Sequence, residues 1–156
     1  MAKVSVRILI ILQLTPNTHP ILHEKVKKCS YDLDRIEMSK ILHENMVHHE
    51  GVGLSANQIG INERVFIMML DMETEETITC FNPRIIKTYD KKVWCEEGCL
   101  SFPDESFNVL RPEKIVVKYE DENKVDHKVK LDGFPARVFL HEFDHMEGIN
   151  FTQRKE

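Results

Sequence analysis

The chain lacks any excess of positive charge: 21 lysines and arginines stand against 26 acids in 156 residues, a formal net charge of -5. That balance offers no basic field to a polyphosphate, so no nucleic-acid partner is expected and a neutral or small substrate is favoured. Long apolar runs are missing too. No stretch approaches the roughly 18 residues a membrane span requires, which argues against a membrane partner. Cysteine is scarce, four residues without a dense, regular framework, so the thiols are read as free or metal-bound in a reducing compartment, the cytoplasm. Repeats, Gly/Ser linkers and low-complexity blocks are also absent, which predicts one domain over residues 1–156; a monomer is expected, though no residue pattern argues it. At 42% hydrophobic and 30% charged residues the chain has enough apolar material to fold alone.

The opening imitates a short signal peptide, with Lys3 and Arg7 before the apolar residues 8–14. Thr15, Pro16 and Asn17 follow in place of small residues suited to cleavage, so the run is read as a buried N-terminal strand. Met38, Ile41, Leu42 and Met46 recur at helical spacing and predict an amphipathic helix over about residues 32–49. The paired glycines of GVGLSANQ at 51–58 suit an extended segment approached closely by another backbone. Residues 65–70 and 77–81 flank an acidic stretch and read as a hairpin; residues 115–119 and 125–131 repeat the arrangement. Gly133 and Pro135 open a last helix that stops at Gly148. The layout is α+β, antiparallel hairpins with a helix near each end.

That last helix carries His141-Glu-Phe-Asp-His145, and residues four apart on a helix share one face. In an H-E-x-x-H pattern the two imidazoles hold one metal ion, and the glutamate between them stands ready to take a proton from water. A third ligand is required, and the eleven residues after His145 do not supply it. The pattern H-E-x-x-H-x-x-G-x-x-H matches through Gly148 but ends on Phe151 where a histidine is demanded. The ligand therefore lies upstream, and Glu97-Gly-Cys99-Leu-Ser101 offers a cysteine in a turn-like setting. Two other readings remain open. One is a closed structural zinc module of Cys95, Cys99, His141 and His145; the other is a catalytically silent chain that only binds peptides.

With GVGLSANQ at 51–58, EGCLS at 97–101 and HEFDHMEG at 141–148 in this order, and Gly133-Phe-Pro-Ala-Arg137 leading into the last helix, the sequence resembles the peptide deformylase family. The resemblance spans most of the chain. It implies a fold of antiparallel strands around a central C-terminal helix, and a divalent ion held by Cys99, His141 and His145, ferrous iron natively and zinc in the isolated protein. It implies hydrolysis of the N-formyl group from the initiator methionine of nascent polypeptides, with formate released and Glu142 moving the proton. The Gln58 side chain and the Leu100 backbone N–H would face the charge that builds on the formyl oxygen. For substrate binding it implies Val52, Gly53, Glu97, Phe134 and Val138, with Gly53 pairing to the peptide backbone and Val52, Phe134 and Val138 forming the methionine pocket. Asp144 is expected to orient a ligand or anchor its helix.

The match also departs from the family. Leu140 stands where glutamine is usual before the first histidine, Ser55 where alanine is usual, and Ser106 where many bacterial members carry arginine. Glu50 and Arg111 align with a charged pair near the site in relatives. The chain ends soon after Gly148, without the long C-terminal helix of many bacterial members, as in organellar and viral short forms; such an origin would place it in an organelle or a host cytoplasm.

Overall fold

The computed structural model describes residues 8–155. Helix α1 (Arg35–His48) starts where the Asp34 carboxylate accepts the Glu37 backbone N–H at 3.1 Å, satisfying a donor that the first turn leaves without an intrahelical partner. A short strand β1 (Gly53–Ser55) leads through a 3-10 turn into β2 (Val65–Met69), which pairs with β3 (Thr77–Thr88). The second hairpin is β4 (Lys92–Cys99) and β5 (Phe102–Pro112). The third is β6 (Lys114–Glu120) and β7 (Asp126–Asp132), and helix α2 (Phe134–Met146) follows. All pairings are antiparallel, in a five-stranded sheet of order β1-β2-β3-β6-β7 and a separate β4–β5 pair.

Two apolar clusters hold these layers. Phe66 and Met68 of β2 join Ile115, Val117, Phe139 and Met146 around α2, while Val65 and Ile67 join Leu42, Met46 and Leu54 around α1. Strand β2 thus faces apolar neighbours on both sides, which is why its sequence is a continuous apolar run instead of an alternation. The rings of Phe66 and Phe139 meet edge to face at 5.1 Å and fix α2 against the sheet. Leu140 is buried in the same cluster, so its departure from glutamine adds packing there.

Three expectations change. Residues 8–14 form no strand, and Ile8 and Leu9 are exposed; Asn45 of α1 holds this segment instead, accepting from Leu12 N–H and donating to the Ile10 carbonyl, both at 2.7 Å. Lys3 and Arg7 lie outside the described residues. The β4–β5 hairpin has no counterpart in the sequence reading. Arg111 pairs with Glu97 and Asp144, not with Glu50. Among the described residues no helix is long and apolar enough to cross a membrane.

Candidate metal centre

Helical periodicity and one tight turn build the site. On α2, His141 and His145 stand one turn apart with ring centroids 5.2 Å from each other. Cys99 ends β4 and pairs across to Phe102, so only Leu100 and Ser101 make the turn and the thiol is carried at the hairpin tip. The ligand atoms of Cys99, His141 and His145 lie within 4.8 Å of one another, and Cys99 Sγ is 3.4 Å from His145 Nε2. A tetrahedral ion with bonds of about 2.0–2.3 Å separates its donors by roughly 3.5 Å, which this cluster matches. Cys95 does not belong to it. That thiol is exposed on β4, so the four-ligand structural module is not formed.

A second layer orients the donors. His141 Nδ1 donates to Glu97 at 3.0 Å, leaving Nε2 as its ligand atom, and the Glu97 carboxylate also accepts two bonds from Arg111 and one from Arg137. Both Glu97 oxygens are therefore engaged inside the protein. Glu97 also lines the cleft cavity, so its hold on His141 stands beside the expected contact with substrate. Arg111 continues to Asp144 at 2.9 Å, and Arg154 adds two further bonds to Asp144, tying the helix to β5 and to the last residues.

Charge follows from this layout. Burial would raise Glu97, but hydrogen bonds from His141 and Arg111 outweigh it and hold the carboxyl at about 2. Burial works to lower His141 as well; bonds to Cys99 and Glu97 overcome it and push the imidazole up to about 10. A cation held by the thiol and the two imidazoles would displace that proton from His141. His145, buried and facing the charges of His141 and Arg111, is held well below its ordinary range and stays neutral, as a ligand must. One thiol and two imidazoles suit a borderline divalent ion such as Fe2+ or Zn2+.

Glu142 is buried beside the cluster, and burial raises its carboxyl against the opposing pull of His141. Ser55 Oγ donates to Glu142 Oε2 at 2.7 Å. Gly53 is the neighbour on the other side. A Cβ there would stand 3.0–3.1 Å from the Glu142 side chain, so only glycine lets β1 pass this close. Gln58 Oε1 accepts the Ser55 backbone N–H at 2.9 Å, which turns its amide nitrogen toward Ser101 Oγ (3.0 Å) and Cys99 Sγ (3.6 Å). A cavity of about 500 Å³ opens here, bounded by Val52, Gly53, Gln58, Leu100, Phe134 and Val138. Every expected site residue thus reaches this one place.

Ser55, Ser101, Asn57 and Arg137 were absent from the sequence reading as site residues. Asn57 donates to the His145 carbonyl at 2.8 Å. Ser55 and Asn57 lie inside the quoted 51–58 motif, the signal that could have found them, and both are fully buried. Nothing local in the sequence marked Arg111 as the bridge between Glu97 and Asp144.

A three-donor centre with one acid beside it, on a helix-backed cleft, defines a metal-dependent hydrolase. The chain matches the family model for polypeptide deformylase over residues 11–156. It is 36% identical over 148 residues to peptide deformylase of Natranaerobius thermophilus, covering 94% of this chain and 93% of that one. The crystal structure of Thermotoga maritima peptide deformylase superposes with TM-score 0.88 at 31% identity, covering 94% of this chain and 99% of that one. A Met-Ala-Ser-bound peptide deformylase from Acinetobacter baumannii gives TM-score 0.87 at 29% identity, covering 94% and 99%. The chain belongs to the peptide deformylase family, metal-dependent hydrolases that remove the N-formyl group from the initiator methionine of nascent polypeptides and release formate.

Proposed function

We propose that Cys99, His141 and His145 hold one divalent ion, ferrous in the native enzyme with zinc as a substitute, and that Glu142 is the residue that moves the proton. The observation that carries this is the convergence of the three ligand atoms within 4.8 Å beside a buried carboxylate in the same cleft. When bound, the ion supplies Lewis acidity, acidifying water and polarising a carbonyl. Glu142 takes the proton released as the formyl carbon becomes tetrahedral and returns it to the departing amine. Ser55 restrains that carboxylate through its 2.7 Å bond.

Gln58 Nε2 and the Leu100 backbone N–H face the developing oxyanion, where removing one donor costs about 100- to 1000-fold in rate. Gly53 offers its backbone to the peptide as a neighbouring strand would. Val52, Phe134 and Val138 receive the methionine side chain in the cavity of about 500 Å³. A peptide ligand is supported by the Met-Ala-Ser bound to the A. baumannii relative. Ser106, where relatives place arginine, donates to Glu96 at 2.6 Å and offers no charge to the outer residues of a peptide. We further infer that the chain acts in the cytoplasm as a monomer.

The test is formate release from formyl-methionyl and acetyl-methionyl tripeptides by protein loaded with ferrous iron under argon. Formyl peptide turns over and acetyl peptide does not; equal rates on both would remove the deformylase reading.

A further inference from the structure

A second concavity, of about 1180 Å³, lies behind α2 and is walled in part by Phe143 and Glu147. These two share a face of the helix, and Phe143 is turned roughly 200° from His141. Seven cations surround the space: Lys25, Lys27, Lys28, Arg64, Arg84, Lys118 and Lys124. Three acids also line it, but two are already paired. Glu120 is held by Arg35 at 3.0 Å, and Glu147 by Arg64 at 3.4 Å and Lys25 at 3.8 Å. Among the described residues no ion pair forms to Lys27, Lys28, Arg84 or Lys118. The net charge of -5 therefore conceals a local excess of the opposite sign.

Strand register sharpens the point. Arg84 of β3 stands directly opposite Lys118 of β6, and Lys118 opposite Lys128 of β7. Adjacent strands lie about 4.8 Å apart, and like charges set opposite each other destabilise a sheet. A row of three cations persists against that repulsion, which a polyanion lying across it would relieve. At the same end Lys124 sits 4.7 Å over the ring of Tyr31, itself 92% exposed. Tyr31 lies next to the groove through Lys124, and the ring face away from Lys124 is one on which an unpaired base can stack while its backbone follows the charges.

We propose that this groove binds the phosphate backbone of a single-stranded polynucleotide, without reading its sequence, and that Tyr31 stacks a base. A membrane surface fits less well, because Val26 and Tyr119 are buried on the floor of the groove and do not project from its rim. The groove stands apart from the metal centre, so its occupancy and the hydrolytic reading are tested separately.

The experiment is fluorescence anisotropy of labelled oligouridylate and oligothymidylate with the metal-loaded protein over a salt series. Both bind, with affinity falling as salt rises. Replacing Lys28, Arg84 and Lys118 by glutamine weakens binding roughly tenfold or more and flattens the salt slope by about 0.7 per cation removed. Tyr31→Ala weakens it roughly tenfold at unchanged slope. All of these variants hydrolyse a free formyl-methionyl tripeptide as the parent does. Absence of binding at low salt overturns the proposal, as does an equal loss from Lys91→Gln and Lys92→Gln outside the groove. Tighter binding to phosphatidylserine vesicles than to either oligonucleotide assigns the groove to a membrane and overturns it too.

Discussion

Glu142 has two contacts that matter, the Ser55 hydroxyl and the close face of Gly53, and neither involves a metal ligand. Its removal should therefore separate chemistry from metal binding. Glu142→Ala keeps one bound ion by metal analysis and loses formate release by about 10²- to 10⁴-fold, the usual span for a proton-transfer group; retained turnover would take Glu142 out of the mechanism. The two cysteines of β4 make the complementary pair. Cys99→Ser loses the ion, while Cys95→Ser, altering an exposed thiol outside the cluster, keeps both ion and rate. Loss of the ion in both would restore the closed structural module. Single residues in contiguous motifs were the most legible part of the site, because i, i+4 spacing on a helix fixes geometry by itself. Arg111 was placed near the site, but its partners were not legible, since they stand 14 and 33 residues away and only the folded chain brings them together.

At the level of elements, the regular hairpins and both helices followed from pattern, whereas β4–β5 did not. Its strands carry Glu97 and Arg111 at buried positions and Trp94 and Leu110 at exposed ones, so the polar and apolar residues give no period-two signal. Residues 8–14 mislead in the other direction: an apolar run suggests a strand, but this one has no strand beside it to pair with. One tie between elements is sensitive to acid. Glu120 of β6 accepts from Arg35 at the start of α1 and from Asn82. Burial would raise its carboxyl, but these bonds and the Arg35 charge outweigh it and hold it below the usual 4.5. A depressed carboxyl stabilises the fold fully above its unfolded value and loses that contribution as pH falls through the folded one. Glu120→Gln should thus melt earlier than the parent at neutral pH, and the gap should close as pH drops below about 4.5. A gap independent of pH would assign the effect to packing.

Across the whole molecule, the candidate metal centre joins the tip of one hairpin to the central helix, so an ion bound there would add to the ties that Arg111 and Arg137 already make between them. Stripping it with a chelator should lower the thermal midpoint and returning a divalent ion should restore it, the stabilisation being about 4 kcal/mol when free ion stands at roughly 1,000 times its dissociation constant. An unchanged midpoint would mean the hairpin docks without it. Composition described this scale least well. Net charge is a sum over the chain, and a sum cannot report that strand pairing sets Arg84, Lys118 and Lys128 side by side.

Gly148 sits at a left-handed φ of +73, and a Cβ there would come within 2.8 Å of the main chain at His23 and Glu24. The stretch carrying Lys25, Lys27 and Lys28 thus rests against a bare α-carbon, anchored one step on by Val26 N–H to the Met146 carbonyl at 2.8 Å. A single methyl at position 148 would act as a wedge, displacing three ammonium groups at once while altering no charge, so the turn that ends helix α2 also seats the basic wall.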